Sequence, residues 1–289
     1  MFGMINNEFI TKFKIINIRV FCLIFTLIFC LTSINLHAQT HNKQKLYLYL
    51  PIGPDDLRQE SDILQNDLKN NDFSHIEIQF AEYWHEYQQN IKNGRLGLYL
   101  APPHFASWAI NKHNFIPLMR VAEPLSFVIA AKKSQPEIFE LNDLIDRTVC
   151  SQPPLNLDYL LSIEAFAKLL GSSNNKFIKH VDLEMQTQQS DCYGYIISNH
   201  IVRRFQLAGN DDYIRLYQGK TYNNYVLIAH PEINTKMLER FKHYLIQADT
   251  QKLLKPIFNL YANDTKLISS QKEDYPISYI GPLNLHWQQ

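Results

Sequence analysis

Between Lys45 and Asn111 the hydrophobic period keeps changing, and that limits the folds open to the chain. Lys45–Leu50 (KLYLYL) alternates, reads as a strand and ends in the turn Pro51-Ile52-Gly53-Pro54. Asp55–Leu68 carries Leu57, Ile63, Leu64 and Leu68 at helical spacing, with Asp55 and Asp56 suited to a first turn. His75–Ala81 alternates again. Tyr83–Lys92 is helical and stops at Asn93-Gly94, Arg95–Ala101 is a strand, and Pro102-Pro103 opens a helix to about Asn111. A β-α-β-α-β-α order implies a mostly parallel sheet with helices on its faces.

The remainder keeps the α/β character. Phe115–Ala122 and Leu125–Ala131 are apolar runs through which the chain leaves the first sheet. A short helix (Glu140–Asp146), a strand (Thr148–Ser151) and a Gln152-Pro153-Pro154 turn follow. Leu155–Leu170 is an apolar-striped helix with Gly171 as its C-cap. Phe177–Met185 and Cys192–Ile197 read as strands, Asn199–Leu207 as a helix and Tyr225–His230 as extended. Glu232–Ala262 is a long amphipathic helical region broken at Pro256, and the tail from Asp264 has no clear period. No Gly/Ser-rich linker marks a boundary. Two lobes would therefore be joined by strands, crossing at Phe115–Ala131 and returning at Tyr213–His230. The expected division is lobe 1 over 39–124, lobe 2 over 125–224, and a return to lobe 1 with C-terminal helices over 225–289.

Ahead of these elements stands a leader. Lys12, Lys14 and Arg19 precede the apolar run Val20–Leu31, and Ala38 offers a small residue for cleavage before the polar QTHNKQ. The run is short of the ~20 apolar residues a spanning helix wants. The pattern predicts a secretory signal peptide over 1–38 and a periplasmic chain; the alternative is an uncleaved anchor. Phe29 before Cys30 is too bulky for a lipidation signal. Cleavage leaves Cys150 and Cys192 as the only cysteines. In an oxidising compartment they either pair or serve as two small buried hydrophobes.

Composition removes several functions. The 289 residues carry 28 Lys+Arg against 28 Asp+Glu, so there is no basic footprint for nucleic acid. The nine glycines form neither GxGxxG nor GxxxxGK[ST]. No GxSxG and no HExxH occurs, and no Ser or Cys has a recognisable nucleophile setting. The histidines lack metal-ligand spacing. Neither an enzyme, a cofactor nor a metal site is expected.

The order of motifs resembles the periplasmic substrate-binding proteins of type II fold, in particular the phosphate/phosphite/phosphonate-binding group of ABC importers. Four segments carry the likeness: Lys45–Gly53; Tyr87–Ala101 with Pro102–Phe105; Leu125–Lys133 with Leu141–Asp146 and Thr148–Ser151; and Cys192–Arg204 (CYGYIISNHIVRR). The resemblance implies two lobes, mixed sheets flanked by helices and a hinge between them. It implies a monomer that closes on a small polar or anionic ligand and docks on an ABC permease in the inner membrane. The alternatives are a stand-alone periplasmic ligand sensor of the same fold and a periplasmic enzyme. One departure matters. Where the family's phosphonate binders place a Ser/Thr-rich turn containing Gly, this chain has Ser151-Gln152-Pro153-Pro154-Leu155-Asn156. Prolines lack the N–H that an oxyanion wants, which points to a ligand larger or less charged than inorganic phosphate.

Ligands of open α/β sheets sit beyond the C-terminal ends of strands, against helix N-termini. That rule selects Ile52, Gly53, Pro103, His104, Phe105, Ser151, Gln152, Asn156, Ser198 and Asn199, with Ser126 near the crossover. Asn156 and Ser198 read as helix caps before ligand contacts. His104 and Gln152 are expected at exposed turns, donating hydrogen bonds. Phe105 or the aromatic cluster Tyr83, Trp84, His85 and Tyr87 would cover an apolar part of the ligand, or pack on the sheet.

Overall fold

The computed structural model describes residues 45–51, 57–81, 83–151, 157, 159–161, 165–166, 178–180, 192–199, 213–259 and 266–280. The chain divides after Gln44 into two units, and all described residues lie in the second. The expected leader therefore lies outside the described residues, as do Ile52, Gly53, Gln152 and Asn156.

Two mixed sheets form the frame. The first has the order β11-β4-β10-β3-β1-β2. Its strands are β1 (Leu46–Leu50), β2 (Ile76–Phe80), β3 (Leu98–Ala101), β4 (Ile116–Val121), β10 (Val226–Ala229) and β11 (Leu267–Ser269). The second has the order β7-β6-β8-β5-β9. It comprises β5 (Leu125–Lys132), β6 (Val149–Ser151), β7 (Ile178–His180), β8 (Gly194–Ser198) and β9 (Tyr213–Tyr222). In the first sheet β1 runs parallel to β2 and β3, as the alternating pattern implies, while β10 lies antiparallel between β3 and β4.

The period-two pattern of β1 divides its side chains between two cores. Leu46, Leu48 and Leu50 join one buried cluster with Leu64, Leu68, Phe241 and Ile257. Tyr49 joins the opposite cluster, stacked on Tyr99 at 4.7 Å between centroids. Helix α1 (Arg58–Asn70) covers the edge strand β2 with Leu64 and Leu68 inward. Its Gln65 amide donates to the Ile76 carbonyl (2.8 Å), and its Oε1 accepts from Ile78 N–H (2.8 Å). Helix α2 (Trp84–Lys92) starts later than the periodicity predicts: Tyr83 is its extended N-cap and is 64% exposed. Tyr87, by contrast, is buried, and its hydroxyl donates to the Leu100 carbonyl at 2.6 Å. Helix α3 (Pro103–His113) opens on proline, whose fixed φ suits a first turn, and ends on Asn114 in the left-handed region (φ 57°).

Several boundaries differ from the sequence reading. The C-terminal helical region is two helices, α4 (Thr235–Leu245) and α5 (Ala248–Phe258). The break falls at the extended Gln247, and Pro256 sits inside the last turn of α5. Pro256 has no N–H to donate to the Lys252 carbonyl one turn earlier, and only two helical residues follow it. The Asn234 side chain caps α4, accepting from Lys236 N–H (2.9 Å) and Met237 N–H (3.2 Å). The aperiodic tail contains β11, paired with β4, and two 3-10 turns at Lys272–Asp274 and Ile277–Ile280. A three-residue strand is too short to show a period. Cys150 and Cys192 are disulfide-bonded, with Cα atoms 5.8 Å apart. The bridge ties β6 to the residues that enter β8.

Candidate ligand cleft

Strand directions gather several of the described strand ends along one edge of each sheet. In the first sheet, Leu50 is opposite Phe80 and Tyr49 opposite Tyr99, so β1, β2 and β3 end together. Val226 is opposite both Ala101 and Arg120, which puts the start of β10 and the end of β4 at that same edge. In the second sheet, Leu125 is opposite Tyr222 and Phe127 opposite Ser198. The start of β5 therefore meets the ends of β8 and β9, and parallel pairing of β6 with β8 adds Ser151. The chain passes between the sheets twice, from Val121 to Leu125 and from Tyr222 to Val226. Each crossover is three residues long, so these two sets of strand ends must face each other. Pro51, residues 102–105, Ser126, Ser151, Ser198 and Asn199 all lie at the facing ends.

Their environments differ from what sequence suggests. His104 is fully buried, with its ring 4.4 Å from that of Phe105, which is also fully buried. The expectation of an exposed His104 turn is thus corrected: Pro102, Pro103 and the rest of the first turn of α3 are packed under other elements. Ser151 and Ser198 are buried polar groups, and Ser126 is half-buried. Asn199 spends its amide on the first crossover. Its Oδ1 accepts from Ser126 N–H (3.0 Å), and its Nδ2 donates to the Pro124 carbonyl (3.0 Å) and to Glu123 Oε1 (3.4 Å). An amide makes at most four hydrogen bonds, so Asn199 is largely committed to holding residues 123–126.

The second crossover has an equivalent that sequence reasoning missed. The Tyr275 hydroxyl donates to the Asn224 carbonyl, and the Asn223 amide donates to the Asp274 carbonyl (2.7 Å). Burial pushes the Tyr275 hydroxyl well above the usual phenol range, so it remains a donor at neutral pH. The sequence signal is the Asn223-Asn224 pair between Tyr222 and Tyr225, a common turn composition. Among the described residues no group of three or more His, Cys, Asp or Glu is placed to hold a metal ion. Nor is any helix among them long and apolar enough to cross a membrane.

The backbone decides the fold. The structure is similar to the binding-protein component of an ABC phosphonate transporter from Pseudomonas aeruginosa, with a TM-score of 0.62 at 14% identity over 85% of this chain and 87% of that one. The chain has the two-lobed periplasmic binding-protein fold. PhnD1 from Prochlorococcus marinus, solved in complex with methylphosphonate, matches with a TM-score of 0.60 at 13% identity, covering 83% of this chain and 98% of its own. A protein of Xanthomonas citri bound to ATP matches with a TM-score of 0.62 at 12% identity, over 84% of this chain and 98% of that one. No protein-family model matches, and no curated protein matches in sequence. Residues 122–124 and 223–225 connect the two sheets.

Proposed function

We propose that the chain is a periplasmic solute-binding protein of an ABC-type importer. It acts as a monomer, closes on a small polar or anionic ligand between its lobes and presents the closed form to a membrane permease. The observation that carries this reading is the convergence of strand ends from both sheets on two short crossovers. Such ends are where α/β sheets hold ligands, and crossovers of this kind allow hinge closure. Phosphonates and nucleotides are the first ligands to test, because structures of similar fold hold methylphosphonate and ATP. The Pro153-Pro154 turn favours a ligand with fewer charged oxygens to satisfy than inorganic phosphate has.

A thermal-shift screen of the purified chain against phosphate, phosphonates, nucleotides and amino acids tests the reading. A ligand at ~100 times its Kd adds ~2.7 kcal/mol of stability. Substitution then tests the site. Gln152→Ala is expected to weaken binding roughly threefold to a hundredfold, the range for losing a neutral to a charged hydrogen bond, with an unchanged melting point. His104→Ala is expected to weaken binding over the same range and also to lower the melting point, since His104 is buried. Tight phosphate binding unaffected by either change overturns both the site and the ligand class, and turnover of a screened compound overturns the assignment as a carrier.

Export is tested separately. The basic Lys12–Arg19 region and the apolar run after it lead to a mature chain beginning near Gln39. Intact mass of the periplasmic fraction should show that species. A full-length chain found only in membranes would make the leader an anchor.

A further inference from the structure

The C-terminal segment makes contacts that the binding reading does not use. Residues 266–280 begin on the first sheet: Ala122 N–H donates to the Lys266 carbonyl (2.9 Å), and Ser270 N–H to the Leu118 carbonyl (3.1 Å). The Lys272–Asp274 turn is closed by the Asp274 carboxylate, which accepts from Gln271 N–H (2.8 Å) and the Ser270 hydroxyl (3.2 Å). The same carboxylate pairs with Arg120 Nε at 3.6 Å, on β4 just before the first crossover. Helix α3 then fastens the segment from beneath. The Ser107 hydroxyl donates to the Pro276 carbonyl (2.7 Å), and the Asn111 amide to the Tyr275 carbonyl (2.9 Å).

From that base the segment reaches across the second crossover. Tyr275 bonds the Asn224 carbonyl, Asn223 bonds the Asp274 carbonyl, and Asn223 N–H donates to the Tyr279 hydroxyl at 3.4 Å. The Tyr279 ring lies 4.7 Å from that of Tyr222, the last residue of β9, and packs on the cluster of Leu125, Phe127, Leu157 and Tyr222. Leu125, Phe127 and Tyr222 belong to the second sheet. The segment is thus rooted in one sheet, touches both crossovers and ends against the other sheet.

We propose that residues 266–280 form a strap over the hinge, with Tyr275 as its fixed pin and Tyr279 as the contact that holds the second lobe in the arrangement described here. Any rotation about residues 223–225 must move Tyr222 relative to Tyr275, whose backbone carbonyl is held by Asn111 of α3. A change of lobe arrangement therefore has to disturb the Tyr279–Tyr222 contact, and the strap biases the lobes toward the present arrangement with or without ligand. The device is independent of what the cleft binds.

The test uses pulsed electron-electron spin-resonance distances on the ligand-free mature chain. Lys69→Cys on α1 and Lys133→Cys after β5 place exposed labels on the two lobes, while the buried Cys150–Cys192 bridge takes no label. Lys69→Cys with Lys112→Cys places both labels on the first lobe as a control. Tyr279→Ala is expected to broaden and shift the interlobe distance while leaving the control distance unchanged. Tyr275→Phe, which deletes one hydroxyl and keeps the ring, should give the same change in smaller measure, and it carries the comparison if Tyr279→Ala does not fold. An interlobe distribution identical to that of the parent overturns the strap. So does equal broadening of the control pair, which would mark general loosening of the fold.

Discussion

Replacing Cys150 and Cys192 together by alanine is expected to cost about 4 kcal/mol, the loop-closure value for a bridge spanning 42 residues. For a chain of this size that is roughly a 10 °C fall in melting temperature. Both sulfurs are fully buried, so the native bridge should resist reductant until the protein unfolds. The loss should also be local. The bridge ties β6 to the start of β8, and the Gln135 amide donates to the Cys192 carbonyl (3.1 Å) beside it. Hydrogen exchange should accelerate across β5, β6 and β8, while β1 and β3 keep their protection. Two free thiols in the denatured, non-reduced protein, or a double variant that melts with the parent, would show that the two cysteines only pack.

What the sequence makes legible is what local periodicity can encode. Leu46, Leu48 and Leu50 alternate with Tyr47 and Tyr49 because β1 has a core on each face, and the helices after it repeat at the spacing of one buried stripe. That suffices to read the β-α-β-α-β-α order and with it an α/β fold. Contacts made across the chain leave no such mark. The hydrogen bonds from Ser107 and Asn111 to the C-terminal segment span 169 and 164 residues. The three-residue β11 exists because β4 offers it an edge, not because LIS has a strand-like pattern.

The candidate site divides the same way. The rule that ligands sit at strand ends selects candidate turns from local sequence alone. It does not say whether a turn residue faces water or another element. Asn199 has the residue type of a cap or a ligand donor, and only the register of β8 against β5 commits it to the crossover. His104 follows two prolines, a loop-like setting in sequence, yet packing of the first turn of α3 buries it completely.

Phe105 is where these two readings separate most sharply. As a cleft wall it would be half-exposed, and its truncation would alter affinity and little else. In the structure it is fully buried, between the His104 ring at 4.4 Å and the Tyr87 ring at 6.4 Å. It shares one core cluster with Tyr49 and Tyr99 of the first sheet and with Ile129 and Ile196 of the second. Phe105→Ala is therefore expected to cost ~3–5 kcal/mol, through the lost transfer energy of the ring and the cavity it leaves. Phe105→Leu, which keeps most of the volume, should cost about 1.5 kcal/mol or less. Thermal melts of both variants without ligand decide between the roles. An alanine variant that melts within a few degrees of the parent would move Phe105 from the core to the ligand's side of the cleft. A steep loss for alanine with near-recovery for leucine makes it the packing residue beneath the first turn of α3. In that case it sets where His104 stands, and its effect on binding arises through His104 rather than through contact with the ligand.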